Sequence, residues 1–308
     1  MALRSLDNAL PLSVERPKKV AASPLSAKKP ALAGVSRGSR LNDENTPPPP
    51  AMEQSVEYIA SEQLTPLPNS EIKITVLLDE LGSKDWMKVC EALNDLRRMA
   101  LHHTSLLVPI LEEVVAVIVK AMKSPRSALC KTSIMASADI FQSLGQHLLS
   151  TTEENAFERL LLQLLLKASQ DKKFVCEEAE KALEKMAISM SPLPLLRKLQ
   201  CYANHANHRV RAKAAVAMSK CISVLGIEAM KQFGIVTLLQ VAAELLNDRL
   251  PETREAARSI ISSIHDKFLS DIGAESKDES SATESWNNFC SSNLSPVVAQ
   301  LIAKIFSL

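Results

Sequence analysis

Segments with helical periodicity recur in pairs from residue 70 to about residue 270, and this recurrence limits the fold more than any other feature. Apolar residues return there at helical spacing, in blocks about as long as a typical globular helix. Prolines, which interrupt helices, are sparse in this region. The sequence therefore predicts five helical hairpins in tandem: 72–81 with 86–101, 106–122 with 127–144, 156–168 with 174–190, 193–202 with 210–225, and 227–246 with 252–269.

The second segments of these pairs share a line of residues at positions i, i+4 and i+8. The lines begin at residues 88, 129, 175, 210 and 253, and each has a small residue in the middle. A small central side chain allows a neighbouring helix to approach closely. Spacings of 41, 46, 35 and 43 residues are typical of stacked helical-pair repeats. The pattern predicts an all-α fold, an α-solenoid of about five to six hairpins. An irregular helical bundle is the alternative.

Composition and motifs argue against several other classes. The chain has only 7 glycines and 4% aromatic residues, fewer than is usual in sandwiches, barrels and nucleotide-binding sheets. The chain lacks a glycine-rich phosphate loop and the Gly-x-Ser-x-Gly and His-Glu-x-x-His motifs. His205 and His208 have no third ligand at metal-binding spacing, and the six cysteines never form Cys-x-x-Cys. We therefore expect reduced core cysteines, no metal, no cofactor and no enzymatic activity.

Composition also divides the chain into four parts. Residues 1–68 contain ten of the 16 prolines and are expected to form a disordered, basic tail with at most one short helix at 53–64. The hairpins occupy 69–270, an acidic linker 271–290, and a C-terminal helix 291–308. That helix is expected to cap the solenoid, to bind a partner or to mediate self-association. No apolar run is long enough to span a membrane, so we expect a cytoplasmic protein.

Charge is distributed unevenly between the tail and the hairpins. Residues 1–40 contain eight lysines and arginines but two acidic residues, whereas the whole chain has a net charge of +1. Because the tail lacks aromatic residues for base stacking, no specific nucleic-acid partner is expected. Within the hairpins, every turn between paired segments contains a cation, and stacking would align these turns along one edge. The predicted basic ridge consists of Lys84, Lys123, Arg126, Lys172, Lys173, Arg209, Arg211, Arg249 and Arg254.

Two kinds of residue in these turns have competing interpretations. Trp86 begins a second segment beside Lys84 and is interpreted as an interface anchor. Packing over the first hairpin is the alternative for this side chain. Asp85, Asp171 and Asp248 are predicted as N-caps of second helices, which would explain part of the charge in the turns structurally.

The segment Gly82 to Leu96 contains Lys-Asp-Trp followed by Cys-Glu-Ala-Leu-Asn-Asp-Leu. It resembles the first hairpin of TOG domains, the tubulin-binding HEAT-repeat modules of CLASP, XMAP215-type and crescerin proteins. The segments 172–179 and 209–214 resemble the third and fourth hairpins of these domains, and the resemblance covers about residues 70–270. One departure is the second turn, which reads Ser-Pro-Arg where the family begins with an apolar contact residue.

The resemblance implies an ARM-type array of about six hairpins that binds αβ-tubulin through its intra-repeat turns. Carried over by position, Trp86 would make the apolar contact, and Lys84, Lys123, Lys173, Arg209 and Arg249 would pair with the acidic surface of tubulin. The expected function is therefore a non-enzymatic protein of the microtubule cytoskeleton that binds tubulin or microtubules and modulates their dynamics, with the basic tail adding avidity. A generic HEAT- or armadillo-type scaffold for another protein is the alternative.

Overall fold

The structure, a computed structural model, describes residues 56, 58–150, 155–273 and 279–306. Every regular element in these ranges is helical, as the periodicity predicts. The α-helices are α1 Ser70–Leu81, α2 Trp86–His102, α3 Thr104–Leu107, α4 Leu111–Met122, α5 Ser127–Ser150, α6 Asn155–Ala168, α7 Lys173–Ser189, α8 Pro192–Gln200, α9 His208–Val224, α10 Ile227–Phe233, α11 Ile235–Leu246, α12 Pro251–Gly273, α13 Glu279–Asn293 and α14 Pro296–Phe306.

The five predicted hairpins are present as α1–α2, α4–α5, α6–α7, α8–α9 and α11–α12. Two predicted first helices are each divided in two. The segment 106–122 breaks at a 3-10 turn, Val108–Ile110, which contains Pro109. The segment 227–246 breaks at Gly234, where a φ of 109° is readily adopted only by glycine.

The hairpins stack so that their second helices form one continuous layer. In this layer α2 contacts α5, α5 contacts α7, α7 contacts α9 and α9 contacts α12. The central small residues of the five second helices are all buried, as their spacing predicts: Ala92, Ser133, Ala179, Ala214 and Ala257. Short side chains at these positions allow the neighbouring helices to pack closely around one shared core.

A buried ion pair links the first two second helices. Arg97 on α2 donates from Nε to Oδ2 of Asp139 on α5 at 2.6 Å, and both side chains are 1% exposed. Arg97 also donates from Nη1 to the carbonyl of Ile59 at 2.8 Å, and Ser61 donates from Oγ to the other carboxylate oxygen of Asp139 at 2.6 Å. Residues 58–64, which we call the N-terminal strap, thus satisfy a charged pair that α2 and α5 leave incomplete.

The strap differs from the predicted tail. Its described residues form one 3-10 turn, Ser61–Gln63, rather than a helix over 53–64. Leu64 is buried, and its carbonyl oxygen lies 2.8 Å from Nε2 of His102. Because the strap's polar groups bond to α2 and α5, residues 58–64 belong to the packed body rather than to the tail. The structure also describes residues 56 and 65–68 of the predicted tail. Residues 1–55 and 57 lie outside the described residues.

The C-terminal region also differs from the predicted linker. α12 continues to Gly273, and α13 begins at Glu279 within the segment predicted as solvated linker. Trp286 on α13 is 3% exposed, and its neighbours Phe289 and Cys290 face the same core. This apolar stripe at positions i, i+3 and i+4 explains why a serine-rich segment is helical.

An aromatic cluster closes this end of the solenoid. The ring of Trp286 lies 5.2 Å from those of both His265 and Phe268, which are on α12. Phe306, near the end of α14, stacks on His265 with 4.0 Å between ring centres. α14 contacts α11 and α13 and buries Ile302 between them. Ile302 of the C-terminal helix is therefore covered within the chain, whereas Val297 is 69% exposed.

Among the described residues, no single helix is both long and apolar enough to cross a membrane. α10 and α11 together are long and apolar enough, but the chain bends by 81° between them.

Removing one partner of the buried ion pair is expected to destabilise the protein strongly. Arg97→Leu leaves the Asp139 carboxylate buried without its counter-charge, which typically costs about 3–5 kcal/mol. Urea unfolding followed by circular dichroism measures this loss. Arg98→Leu is the matched control, because Arg98 pairs with the more accessible Asp95 and should lose less than about 1 kcal/mol. Equal losses at Arg97 and Arg98 would contradict the importance of the buried pair.

Candidate functional site

The loops within the five hairpins lie side by side along one edge of the described solenoid. They comprise residues 82–85, 123–126, 169–172, 201–207 and 247–250, and we call this surface the loop edge. Each loop contacts the next through a side chain of the loop or of the helical turn after it. The alignment of turns predicted from hairpin stacking is therefore confirmed.

An aromatic and a cation join the first two loops. Asp85 caps α2 by accepting a hydrogen bond from the backbone N–H of Met87 at 3.0 Å, as predicted, and this fixes Trp86 as the first residue of the helix. The guanidinium carbon of Arg126 lies 5.2 Å from the centre of the Trp86 ring. The other part of the half-buried indole packs against the core. Trp86 therefore packs internally and is also partly exposed, and its role as an interface anchor stays a prediction.

Polar side chains connect the second, third and fourth loops. Lys172 donates from Nζ to Oγ of Ser127 at 3.4 Å. Arg209 donates from Nη1 to Asp171 at 2.6 Å and to the carbonyl of Ser169 at 3.3 Å. The N-cap residue of α7 is Lys172, so the prediction of Asp171 as the N-cap is wrong. The Asp171 carboxylate is used between loops rather than at the helix end.

The strongest connection is between the fourth and fifth loops. Arg211 donates from Nε to Oδ2 of Asp248 at 2.8 Å, and its Nη1 donates to the carbonyl of His205 at 2.7 Å. Arg254 donates to the backbone carbonyl of Asp248 at 2.8 Å. The side chain of Asp248 is only 4% exposed and accepts from the N–H of Leu250 at 2.9 Å. Because α12 begins at Pro251, Asp248 holds the loop and is not the predicted N-cap.

These contacts lower the pKa of Asp248. Burial by itself raises the pKa of this carboxyl group, but the hydrogen bond from Leu250 and the guanidinium of Arg211 lower it further than burial raises it. The net result is a pKa below the ordinary value of 3.8.

The predicted cations separate into two groups. Arg209 and Arg211 hold neighbouring loops together, so Arg211 in particular has a structural role, whereas Arg254 donates to two carbonyls of the loop in its own hairpin. The second group forms no ion pair with any carboxylate in the described part of the chain: Lys84, Lys123, Arg126, Lys172 and Arg249. Lys173 resembles this second group in its accessibility, since its side chain is 87% exposed. Its Nζ lies 3.8 Å from Oε1 of Glu177. Unpaired, exposed cations are the ones that remain available to an acidic partner.

Sequence reasoning missed two residues of the loop edge. Phe174, in the first turn of α7, is 42% exposed and occupies a position similar to that of Trp86 in α2. Lys167, in the last turn of α6, lines a pocket between the second and third loops. Phe174 has a recognisable signal, an aromatic residue directly after two lysines. Lys167 has no such signal, because nothing in the sequence of α6 indicates that this lysine lies near the second loop, which is distant in sequence.

His205 forms contacts within the fourth loop. His205 accepts a hydrogen bond at Nδ1 from the backbone N–H of Asn207 at 3.1 Å. Its ring lies against that of Tyr202, with 6.3 Å between ring centres. Within the described ranges, no group of three or more metal-ligating side chains is found.

The fold and the loop edge define a short α-solenoid of HEAT-like hairpins whose intra-repeat loops are joined along one side. The model of the CLASP N-terminal family matches residues 83–271, more than half of the chain. The chain therefore belongs to this family, and the family suggested by the resemblance is confirmed.

A related protein and two solved structures are similar to this chain. The mouse protein named TOG array regulator of axonemal microtubules protein 1 is 26% identical over 211 residues, which is 67% of this chain and 12% of the mouse protein. The chain thus spans about an eighth of that relative's length. A TOG domain from C. elegans Zyg9 matches with a TM-score of 0.53 at 15% identity, covering 75% of this chain and 79% of that domain. A crescerin TOG-domain structure matches with a TM-score of 0.51 at 13% identity, covering 78% and 91%. At such identities the two structures show the fold alone.

The lowered pKa of Asp248 predicts a pH-dependent contribution to stability. A carboxyl group whose folded pKa is depressed stabilises the protein above its unfolded pKa, and this stabilisation is lost as the pH falls through the folded pKa. We expect Asp248→Asn to be less stable than the wild type near neutral pH, with the difference shrinking from about pH 5 to about pH 2. Urea unfolding across this pH range measures the difference.

Arg249→Gln is the control for this experiment, because it changes an exposed neighbouring charge without touching Asp248. It should keep the wild-type dependence of stability on pH. A difference between wild type and Asp248→Asn that stays constant with pH would contradict the lowered pKa.

Proposed function

We propose that the chain binds tubulin or microtubules through the loop edge and so modulates microtubule dynamics or organisation without catalysing a reaction. The single observation that carries this proposal is the loop edge itself. It presents a partly exposed tryptophan and a row of cations that lack carboxylate partners in the described structure. An edge of this kind suits a large acidic protein partner better than a small substrate.

The relatives support a microtubule-related role. The mouse relative is named as a regulator of axonemal microtubules. Crescerin, whose TOG-domain structure is similar to this chain, uses a TOG domain array to regulate microtubules in the primary cilium. By analogy we place the present chain at the microtubule cytoskeleton.

The structure suggests distinct roles for the residues of this edge. Trp86 provides apolar area, and the overlying Arg126 supplies a cation directly beside it. Arg209 is anchored by an exposed carboxylate and keeps half of its side chain accessible, so it also remains available to a partner. Further along the edge, the exposed cations steer an acidic surface towards the loops. This group comprises Lys84, Lys123, Lys172, Lys173 and Arg249.

Arg211 is assigned to the support of the edge rather than to direct contact. Its guanidinium is committed to Asp248 and to two backbone carbonyls of the fourth loop. The basic segment 1–40 is proposed to add avidity, because a tethered cationic chain raises its effective concentration near an acidic surface.

Trp86→Ala is expected to weaken binding by about tenfold or more, the usual effect of losing a central aromatic anchor. The measurement is co-sedimentation of the full chain with stabilised microtubules, together with gel filtration against free tubulin. Ile188→Ala is the matched control, because Ile188 is an exposed apolar residue at the other end of α7 from the loop edge. Thermal unfolding of both variants separates lost binding from lost folding.

Two outcomes would contradict the proposal. One is that the wild type binds neither microtubules nor free tubulin. The other is that Trp86→Ala and the double variant Lys84→Gln/Lys123→Gln bind as tightly as the wild type at low salt. The second result would favour the generic scaffold, which uses another surface.

A further inference from the structure

A basic pocket lies between the second and third loops of the loop edge. It has a volume of about 410 Å³ and is open to solvent. Its polar lining consists of Lys123, Ser124, Ser127, Lys167, Gln170 and Lys172, together with Asp171. Cys130 and Val175 contribute buried side chains to its lining.

The pocket contains three ammonium groups without a carboxylate to neutralise them. Lys123, Lys167 and Lys172 form no ion pair with any residue that the structure describes. The one carboxylate in the lining, Asp171, is already bound to Arg209 at 2.6 Å. Lys167 is half-buried, so its charge is partly removed from water and gains more from a counter-ion than a fully exposed lysine does.

Two further features show that positive potential converges on this pocket. Burial raises the pKa of the Cys130 thiol, and the nearby ammonium groups of Lys167 and Lys172 offset only part of this rise. Both lysines and Cys130 line the same pocket. In addition, the pocket is flanked by the N-terminal ends of α5 and α7, whose helix dipoles favour negative charge.

We propose that this pocket accepts a carboxylate side chain from an acidic segment of the protein partner, with Lys167 as a binding residue. The proposal rests on the proposed function, and it goes further by naming the chemistry that enters the loop edge. A flat acidic surface reaches Lys123 and Lys172 at the rim. Lys167 on α6 is half-buried in the lining, whereas Lys123 and Lys172 are exposed, so a side chain that enters the pocket gains most from the Lys167 ammonium group. The pocket therefore favours a partner with a protruding acidic loop or tail.

The direct test uses a fluorescently labelled hexaglutamate peptide and the full chain, with binding followed by fluorescence anisotropy. We expect Lys167→Gln to lose about tenfold in affinity, because charge-assisted hydrogen bonds are among the stronger polar contacts. Lys167→Arg keeps the charge and should bind nearly as the wild type does. Lys181→Gln is the matched control, since it removes an exposed lysine from α7 outside this pocket.

Inorganic phosphate at matched ionic strength distinguishes a carboxylate site from a general anion site. We expect phosphate not to displace the peptide. Displacement by phosphate as effective as by unlabelled hexaglutamate would overturn the carboxylate assignment. Equal losses for Lys167→Gln and Lys181→Gln would overturn the role of Lys167.

Repeating these variants with free tubulin separates the two proposals. If tubulin binds the wild type and Lys167→Gln equally well, the pocket proposal fails while the proposed function stands. If hexaglutamate binds through Lys167 but tubulin does not bind, the proposed function fails and the pocket remains a site for a different acidic partner. If Lys167→Gln weakens both ligands by a similar factor, both proposals are supported.

Discussion

The close packing of the second helices is the constraint on which the rest of the molecule depends. No hairpin buries both of its faces alone, so each relies on its neighbours for a core. Small central residues such as Ala179 and Ala214 bring successive second helices together at a matching height. Because these helices then begin side by side, the loops that precede them are adjacent as well. The loop edge is therefore a consequence of core packing, and it needs no additional element to hold the loops in line.

Adjacent loops bring like charges together, and two carboxylates reduce the repulsion between them. Arg211 is neutralised by the nearly buried Asp248, and removing that carboxylate would leave a largely enclosed cation. Arg209 pairs with the exposed Asp171, and a pair of this kind contributes about 0–1 kcal/mol to stability. The fourth and fifth loops are thus held firmly, whereas the first three retain most of the unpaired charge. The ion pairs between loops and most of the unpaired charge therefore lie at different ends of the same edge.

The predictable part of this architecture is the part encoded by local periodicity. Helical spacing and the central small residues identify the five hairpins, and a cation in every turn identifies the edge. The divided first helices have local causes, Pro109 and Gly234, whereas other errors involve a partner far away in sequence. Asp171 is at a position typical of an N-cap, but its carboxylate pairs with Arg209 of the next hairpin. Trp286 lies in a serine-rich segment, and its ring packs against Phe268 of α12. Lys167 similarly becomes part of the edge only when two hairpins stack.

Segments outside the five hairpins pack near both ends of the described solenoid, and the two contacts differ in chemistry. A terminal repeat has a face without a neighbouring hairpin, and that face must be covered. Near the N-terminal end the strap lies across the junction of α2 and α5 and forms hydrogen bonds with the charged pair Arg97 and Asp139. At the other end α13 and α14 cover α12 with aromatic rings. Apolar packing tolerates small displacements, whereas a buried ion pair requires fixed geometry and complete hydrogen bonding. The more stringent of these two contacts therefore involves α2, which begins at Trp86, and α5, which follows the second loop, where the position of the aromatic side chain matters most for the proposed binding.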